Sequence, residues 1–214
     1  MEIDGFIQRA DYLEKEIVIL ERKIKRYPKG RLACVHNGKY KKWYVRYDGE
    51  GHYITKKRNK YLHTMAEKLY MEAILHPDIR ILSIATRPDC LSIEILDLLE
   101  RLNQIKPVWI ELGLQTIHER TARYIRRGYD LPVFETAVSE LCRRGIDVIV
   151  HTILCLPGET KTDMLQTIQY LNRQDIQGIK LQLLHILKDT DLADIYASDP
   201  FPLPDPQEYY ELLG

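Results

Sequence analysis

The sequence predicts an α/β protein whose larger part is a parallel sheet, open or curled into a barrel, preceded by a small α+β module. From Pro77 onward, short apolar runs alternate with amphipathic stretches in the order β, α, β, α, α, β, α, β, the pattern of parallel strands joined by crossover helices. The stretch HTILCLPGET, residues 151–160, closes an apolar strand that opens at Asp147, and Pro157-Gly158 turns the backbone towards a helix beginning near Lys161. In such sheets ligands sit at the carboxyl ends of the strands, where glycine admits close backbone approach and the next helix N-terminus favours electron-rich groups. Charge is also divided. Of 31 basic and 31 acidic residues, residues 1–76 hold 17 and 10, net +7, which leaves net −7 in the remainder. That asymmetry predicts two modules, a basic one at 1–67 and the α/β part at 68–214.

At 214 residues the chain is long enough for one large or two small domains with a core. Its apolar runs fall far short of the roughly 20 residues that span a bilayer, and the opening MEIDGFIQRADYLEKE has no signal-peptide core. A cytoplasmic protein with no membrane partner is expected. Cys34, Cys90, Cys142 and Cys155 lie 56, 52 and 13 residues apart, which matches no zinc or CxxC spacing. Free buried thiols and no metal site are expected.

Within residues 4–26, Ile7, Leu13, Ile17, Leu20 and Ile24 recur near helical spacing, the end is basic, and Pro28 and Gly30 stop the helix. Asn37-Gly38 between two β-rich runs predicts a hairpin pairing residues 32–36 with 41–47; a second turn at 48–51 leads to a short strand, HYIT, and a helix at 59–75. Between Arg22 and Lys60 there are 14 Lys or Arg against Asp48 and Glu50, with Tyr40, Trp43, Tyr44, Tyr47 and Tyr53 interleaved. Two readings stay open. The module contacts phosphates and stacks bases of RNA or single-stranded DNA, with Lys41, Lys42, Trp43, Tyr44, Lys56, Lys57 and Arg58 as candidates, or its lysines are solvated and its aromatics form its own core.

The α/β part predicts strands at 81–86, 108–114, 147–154 and 178–184, and helices at 92–103 capped by Ser92, at 119–127 stopped by Gly128, at 132–144 and at 161–174. Glu111, Gly113 and Gln115 share one strand face, and an acid inside a parallel sheet is costly unless paired or used. Lys180 and Gln182 share another face, His185 follows at the strand end, and His151 sits inside a strand. A strand histidine is ordinarily a satisfied core residue, but polar groups on three strands converge where the sheet binds something. The strand at 81–86, bounded by Ile81 and Thr86, has no neighbour on its N-terminal side, which predicts self-association through that edge or exposed apolar surface.

Taken together, SIATRPDCL (83–91), WIELGLQT (109–116), HTILCLPGET (151–160) and GIKLQLLHILKDTDLADIY (178–196) resemble the radical SAM superfamily over about residues 68–214. The likeness is nearest to a bacterial subfamily related to the Elongator tRNA-modifying catalytic subunit. It implies the later strands of a partial (β/α)6 barrel, S-adenosylmethionine (SAM) and a 4Fe-4S cluster as cofactors, and SAM-dependent radical oxidation or group transfer. It further implies cofactor contacts at Glu111, Gln115 and His151, an adenine turn at Leu156, Pro157 and Gly158, and a substrate cavity at Lys180, Gln182 and His185. The sequence departs from the family in holding no C-x3-C-x2-C motif, whose three thiolates leave one iron for SAM, so the cluster is not expected to bind this chain alone. The first two barrel strands are replaced by the basic module, whose NGK hairpin and YI-x-KK turn resemble clostridial proteins. Cys155 stands where the subfamily has glycine and Asp189 where KGT is expected, and a helix, PQEYYELL, begins near the end. The chain is therefore read as a fusion or fragment of a radical SAM protein; the alternative is a non-catalytic nucleic-acid-binding or adaptor protein acting through the basic module.

Overall fold

The computed structural model describes residues 2–26, 31–37, 40–47, 50–53 and 59–213, with side chains described for residues 8–25 apart from 11 and 23, and for 67–212. Two compact units form: Met1–Leu82 with Arg101–Pro107, and Ser83–Glu100 with Val108–Gly214.

The first unit holds helix α1 (Glu2–Arg26), strands β1 (Arg31–Asn37), β2 (Tyr40–Tyr47) and β3 (Glu50–Tyr53), and helix α2 (Asn59–Leu75). Helix α2 runs unbroken through residues 67 and 68. The predicted hairpin is present as an antiparallel β1–β2 pair, with β3 antiparallel on the other side of β2. Leu20 on α1 and Met71 and Ile74 on α2 are buried, as their apolar spacing requires. Ion pairing of Arg101 with Glu67 at 3.3 Å and donation from Lys106 Nζ to His76 O at 2.7 Å fasten residues 101–107 to this unit.

The second unit is built on β4 (Leu82–Thr86), β5 (Val108–Gln115), β6 (Asp147–Leu154) and β7 (Gly178–Leu183), four parallel strands in the order β4-β5-β6-β7. The connecting helices are α3 (Ile93–Asn103), α4 (Glu119–Tyr124), α5 (Leu131–Arg143) and α6 (Lys161–Leu171), followed by α7 (Asp191–Ser198) and α8 (Pro206–Leu213). Alternation decides the two faces of the sheet. Val108, Ile110, Leu112, Leu114, Val148, Val150 and Leu154 are buried on one face, where α5 packs on β6 and contributes Phe134, Val138 and Leu141. Trp109, Glu111, Ile149, His151 and Ile153 occupy the alternate, open face.

Some boundaries differ from expectation. Helix α4 stops at Tyr124, short of 127, because Arg126 takes a left-handed φ of 56° and Gly128 one of 87°. Helix α6 ends at Leu171 rather than 174. The expected loop after β4 contains a 3-10 turn at Pro88–Cys90, and α7, which carries no buried residue, had no periodic signal strong enough to predict it. The expectation of buried thiols also needs correcting: Cys142 and Cys155 are partly buried and Cys90 is exposed, though all three are free. Among the described residues no helix is long and apolar enough to cross a membrane.

Candidate functional site

The open face of the sheet is organised by one carboxylate. Glu111 Oε1 accepts from Ser83 Oγ at 2.8 Å, and Oε2 accepts from Lys180 Nζ at 3.1 Å and lies 2.7 Å from His151 Nε2. An ionised carboxylate can only accept, so that ring nitrogen carries the proton. Each of the four parallel strands thus sends one side chain to a common point. The Ser83 hydroxyl and then Lys180, helped by His151, lower the Glu111 pKa from 4.5 to about 2, so the group is ionised at neutral pH. The acid predicted to need a partner has three.

Above this cluster, towards the carboxyl ends of the strands, β5 finishes irregularly. Its pairing with β6 shifts between Gly113 and Gln115, and Gln115 has a φ of 67°, a left-handed conformation uncommon for a side chain other than glycine. A Cβ on Gly113 would lie 2.7 Å from Gln115 Nε2, so the glutamine amide folds over the bare glycine. The carbonyls of this bulge are taken up from the loop after α4. Tyr129 donates its hydroxyl to Gly113 O, and Arg127 Nη1 donates to Thr116 O at 2.8 Å. Arg127, with its side chain 1% exposed, also pairs with Glu119 at 2.8 Å, as a buried charge must. Burial pushes the Tyr129 hydroxyl up to about 12, against the opposing pull of Arg127 and Arg87.

The β6–α6 turn is held just as closely. Cys155 has a φ of 61°, the conformation for which glycine would be free of strain, and its N–H approaches Met164 Sδ at 3.2 Å. Gly158, φ 78°, offers its carbonyl to Arg120 Nη2 at 2.8 Å, and Glu159 accepts from Thr116 Oγ1 at 2.5 Å. Thr160 and Asp163 form a reciprocal capping box that starts α6 and holds the Asp163 carboxyl below its ordinary range. Burial raises the Cys155 thiol, with Glu208 and Glu159 adding to the effect.

Two cavities flank this turn. One, of about 500 Å³, lies at the ends of β5, β6 and β7, with Gln115, Tyr129, Ile153, Leu156 and Leu184 in its wall. The other, of about 520 Å³, lies between the turn and the C-terminal segment, bordered by Cys155, Pro157, Gly158, Met164 and Phe201. The six residues expected at the cofactor therefore separate. Gln115 and Leu156 meet in the first cavity; Leu156 also borders the second with Pro157 and Gly158; Glu111 and His151 are joined to each other on the open face and line neither. Of the expected substrate residues, Lys180 joins Glu111, Gln182 shares its strand face, and His185 lies exposed beyond β7; none lines either cavity. No local pattern in the sequence singles out Ser83, Arg127 or Tyr129. A glycine directly after two arginines, Arg126-Arg127-Gly128, was the one hint that the helix broke there to deliver a charge.

In the first unit the register separates the nucleic-acid candidates. Lys42, opposite Val35, and Tyr44, opposite Ala33 and Tyr53, fall on one set of rungs; Lys41, opposite His36, and Trp43, opposite Cys34, fall on the alternate set. Lys56, Lys57 and Arg58 lie outside the described residues.

A four-stranded parallel α/β sheet with a polar open face and a cavity at its strand ends defines the class: part of a β/α barrel. The sequence profile of the radical SAM superfamily matches residues 39–171, beginning upstream of the stretch that carries the resemblance, and the chain belongs to that superfamily. It is 41% identical over 132 residues to YtqA of Bacillus subtilis (strain 168), covering 62% of this chain and 41% of that protein. It is 39% identical over 139 residues to YhcC of Escherichia coli (strain K12), covering 62% of this chain and 45% of that protein. The chain thus spans less than half the length of these curated relatives. Among solved structures, archaeal Methanocaldococcus infernus Elp3 superposes with a TM-score of 0.58 at 20% identity over 70% of this chain and 35% of that one, a likeness of fold.

Proposed function

We propose that the second unit supplies the SAM-nucleoside pocket and part of the substrate-facing wall of a radical SAM barrel. The observation that carries this reading is the cavity of about 500 Å³ at the strand ends, where Gln115 and Leu156 meet. Part of its lining suits a nucleoside, a carboxamide with donor and acceptor and the apolar walls of Ile153, Leu156 and Leu184, while Arg87, Arg126, Arg127 and Asp191 make the rest of the wall charged. Bound SAM supplies a sulfonium-activated 5′-carbon. The chain's own part is to hold the nucleoside at the strand ends and to keep the open face polar beneath it, with Glu111 ionised, His151 protonated at Nε2 and Lys180 charge-paired. Oxidation or group transfer on a substrate facing Ser83, Lys180 and Gln182 is the activity this arrangement would serve.

The residues do not fit the cluster. The sequence has no C-x3-C-x2-C motif, and among the described residues no three His, Cys, Asp or Glu side chains gather as metal ligands. No step is therefore assigned to iron held by these residues. Calorimetry with SAM and S-adenosylhomocysteine tests the reading: saturable binding lost in Leu156→Asp supports it, and absence of heat with a folded chain overturns it. After anaerobic reconstitution with iron and sulfide, stoichiometric cluster iron with a SAM-sensitive EPR signal would overturn the statement about ligands.

A further inference from the structure

We infer that Tyr129 is a positioning residue that aims the Gln115 carboxamide into the strand-end cavity, with Gly113 as the space that admits the amide. This rests on the reading that the cavity takes a purine nucleoside, and deepens it by naming what sets the geometry of its polar wall.

Gln115 is the last residue of β5 and does not follow the strand. Its φ of 67° turns it out of the alternation that begins at Trp109, and the ladder with β6 skips a residue there. A left-handed glutamine persists only where its surroundings over-determine it. The surroundings come from one loop. The Tyr129 hydroxyl donates to Gly113 O, the carbonyl on the strand side of the bulge. Arg127 Nη1 donates to Thr116 O on the far side, and Arg127 Nε donates to Tyr129 O at 2.9 Å, so the two clamps are tied together. Guanidinium carbons of Arg127 and Arg87 lie over the Tyr129 ring, 4.7 Å and 5.6 Å from its centroid, and hold its plane. With the bulge so held, the Gln115 amide rests on Gly113, where any Cβ would stand 2.7 Å from its nitrogen. Gln115 and Tyr129 both reach the cavity. A carboxamide in a fixed orientation presents N–H donors and a carbonyl acceptor to the polar groups of a nucleoside.

The test uses the full chain with S-adenosylhomocysteine as probe. Calorimetry compares wild type, Gln115→Ala, Tyr129→Phe and the double variant, with circular-dichroism melts to establish folding. Tyr129→Phe is expected to weaken binding about three- to tenfold, the worth of one hydrogen bond, and the double variant to bind no more weakly than Gln115→Ala alone. Wild-type affinity in Tyr129→Phe, or losses that multiply in the double variant, would overturn the inference, the latter because Tyr129 would then act on the ligand independently. A ligand-free readout separates this from failure of the nucleoside reading. In a nitrogen–proton correlation spectrum the Gln115 side-chain amide should move in Tyr129→Phe while that of Gln169 stays; an unmoved Gln115 signal refutes the positioning role whether or not wild type binds the probe. Gly113→Ala, which leaves Tyr129 in place, should displace the same amide signal and weaken binding, and serves if the tyrosine variant fails to fold.

Discussion

Replacing Glu111 by Gln keeps the shape of the side chain and removes the charge on which Ser83, His151 and Lys180 converge. A carboxyl lowered from 4.5 to about 2 corresponds to roughly 3 kcal/mol if the whole shift were stability. The side chain is 24% exposed and Lys180 51% exposed, so solvent screening reduces this to about 1–2 kcal/mol. Because the folded pKa is depressed, this stability is fully present above the unfolded value near 4.5 and is lost as pH falls through about 2. Glu111→Gln should therefore be less stable than wild type at pH 7, and the gap should close as pH falls below 4.5 towards 2. The assay is urea unfolding in a Trp43→Phe background, so that Trp109, the other of the two tryptophans, reports on β5. Stability equal to wild type at neutral pH, or a gap that persists unchanged into acid, would refute the account of Glu111 as a charge hub.

Cys155 sits at a φ of 61°, so Cys155→Gly should be at least as stable as wild type, relief of about 1 kcal/mol or more being partly offset by the entropy of a freer unfolded chain, whereas Cys155→Val should lose stability; midpoints in the reverse order would sink the strain argument. The basic unit is proposed to bind RNA or single-stranded DNA weakly, with affinity falling steeply as salt rises; titrating a labelled oligonucleotide at low ionic strength checks it, and no binding there means its lysines are merely solvated. Replacing Trp43 and Tyr44 by Ala should remove stacking of about 1–3 kcal/mol per base, and an unchanged affinity would contradict stacking on these rings. Strand β4 ends its sheet, so self-association through the edge at residues 81–86 is proposed, visible as a sedimentation coefficient that rises with concentration; a concentration-independent monomer would rule it out.

The sequence by itself determined the order of strands and helices, the turn after β6, and which polar residues share a strand face, because apolar period and glycine-proline punctuation act over a few residues. It predicted that Glu111 and Gln115 share one side of β5, and it showed that Glu111 needed a partner. Tertiary structure alone decided that the partners are Ser83, 28 residues before it, His151, 40 after, and Lys180, 69 after. It also parted Gln115 from Glu111, one turned into the cavity by a bulge and the other held in an ion cluster. No local pattern in WIELGLQT encodes that bulge. It exists because an arginine and a tyrosine from the loop after α4 satisfy the carbonyls it exposes, and α4 ends early to bring them there. Propensity is set by neighbours in the chain, whereas the demand that every buried carbonyl and charge find a partner is met across the fold.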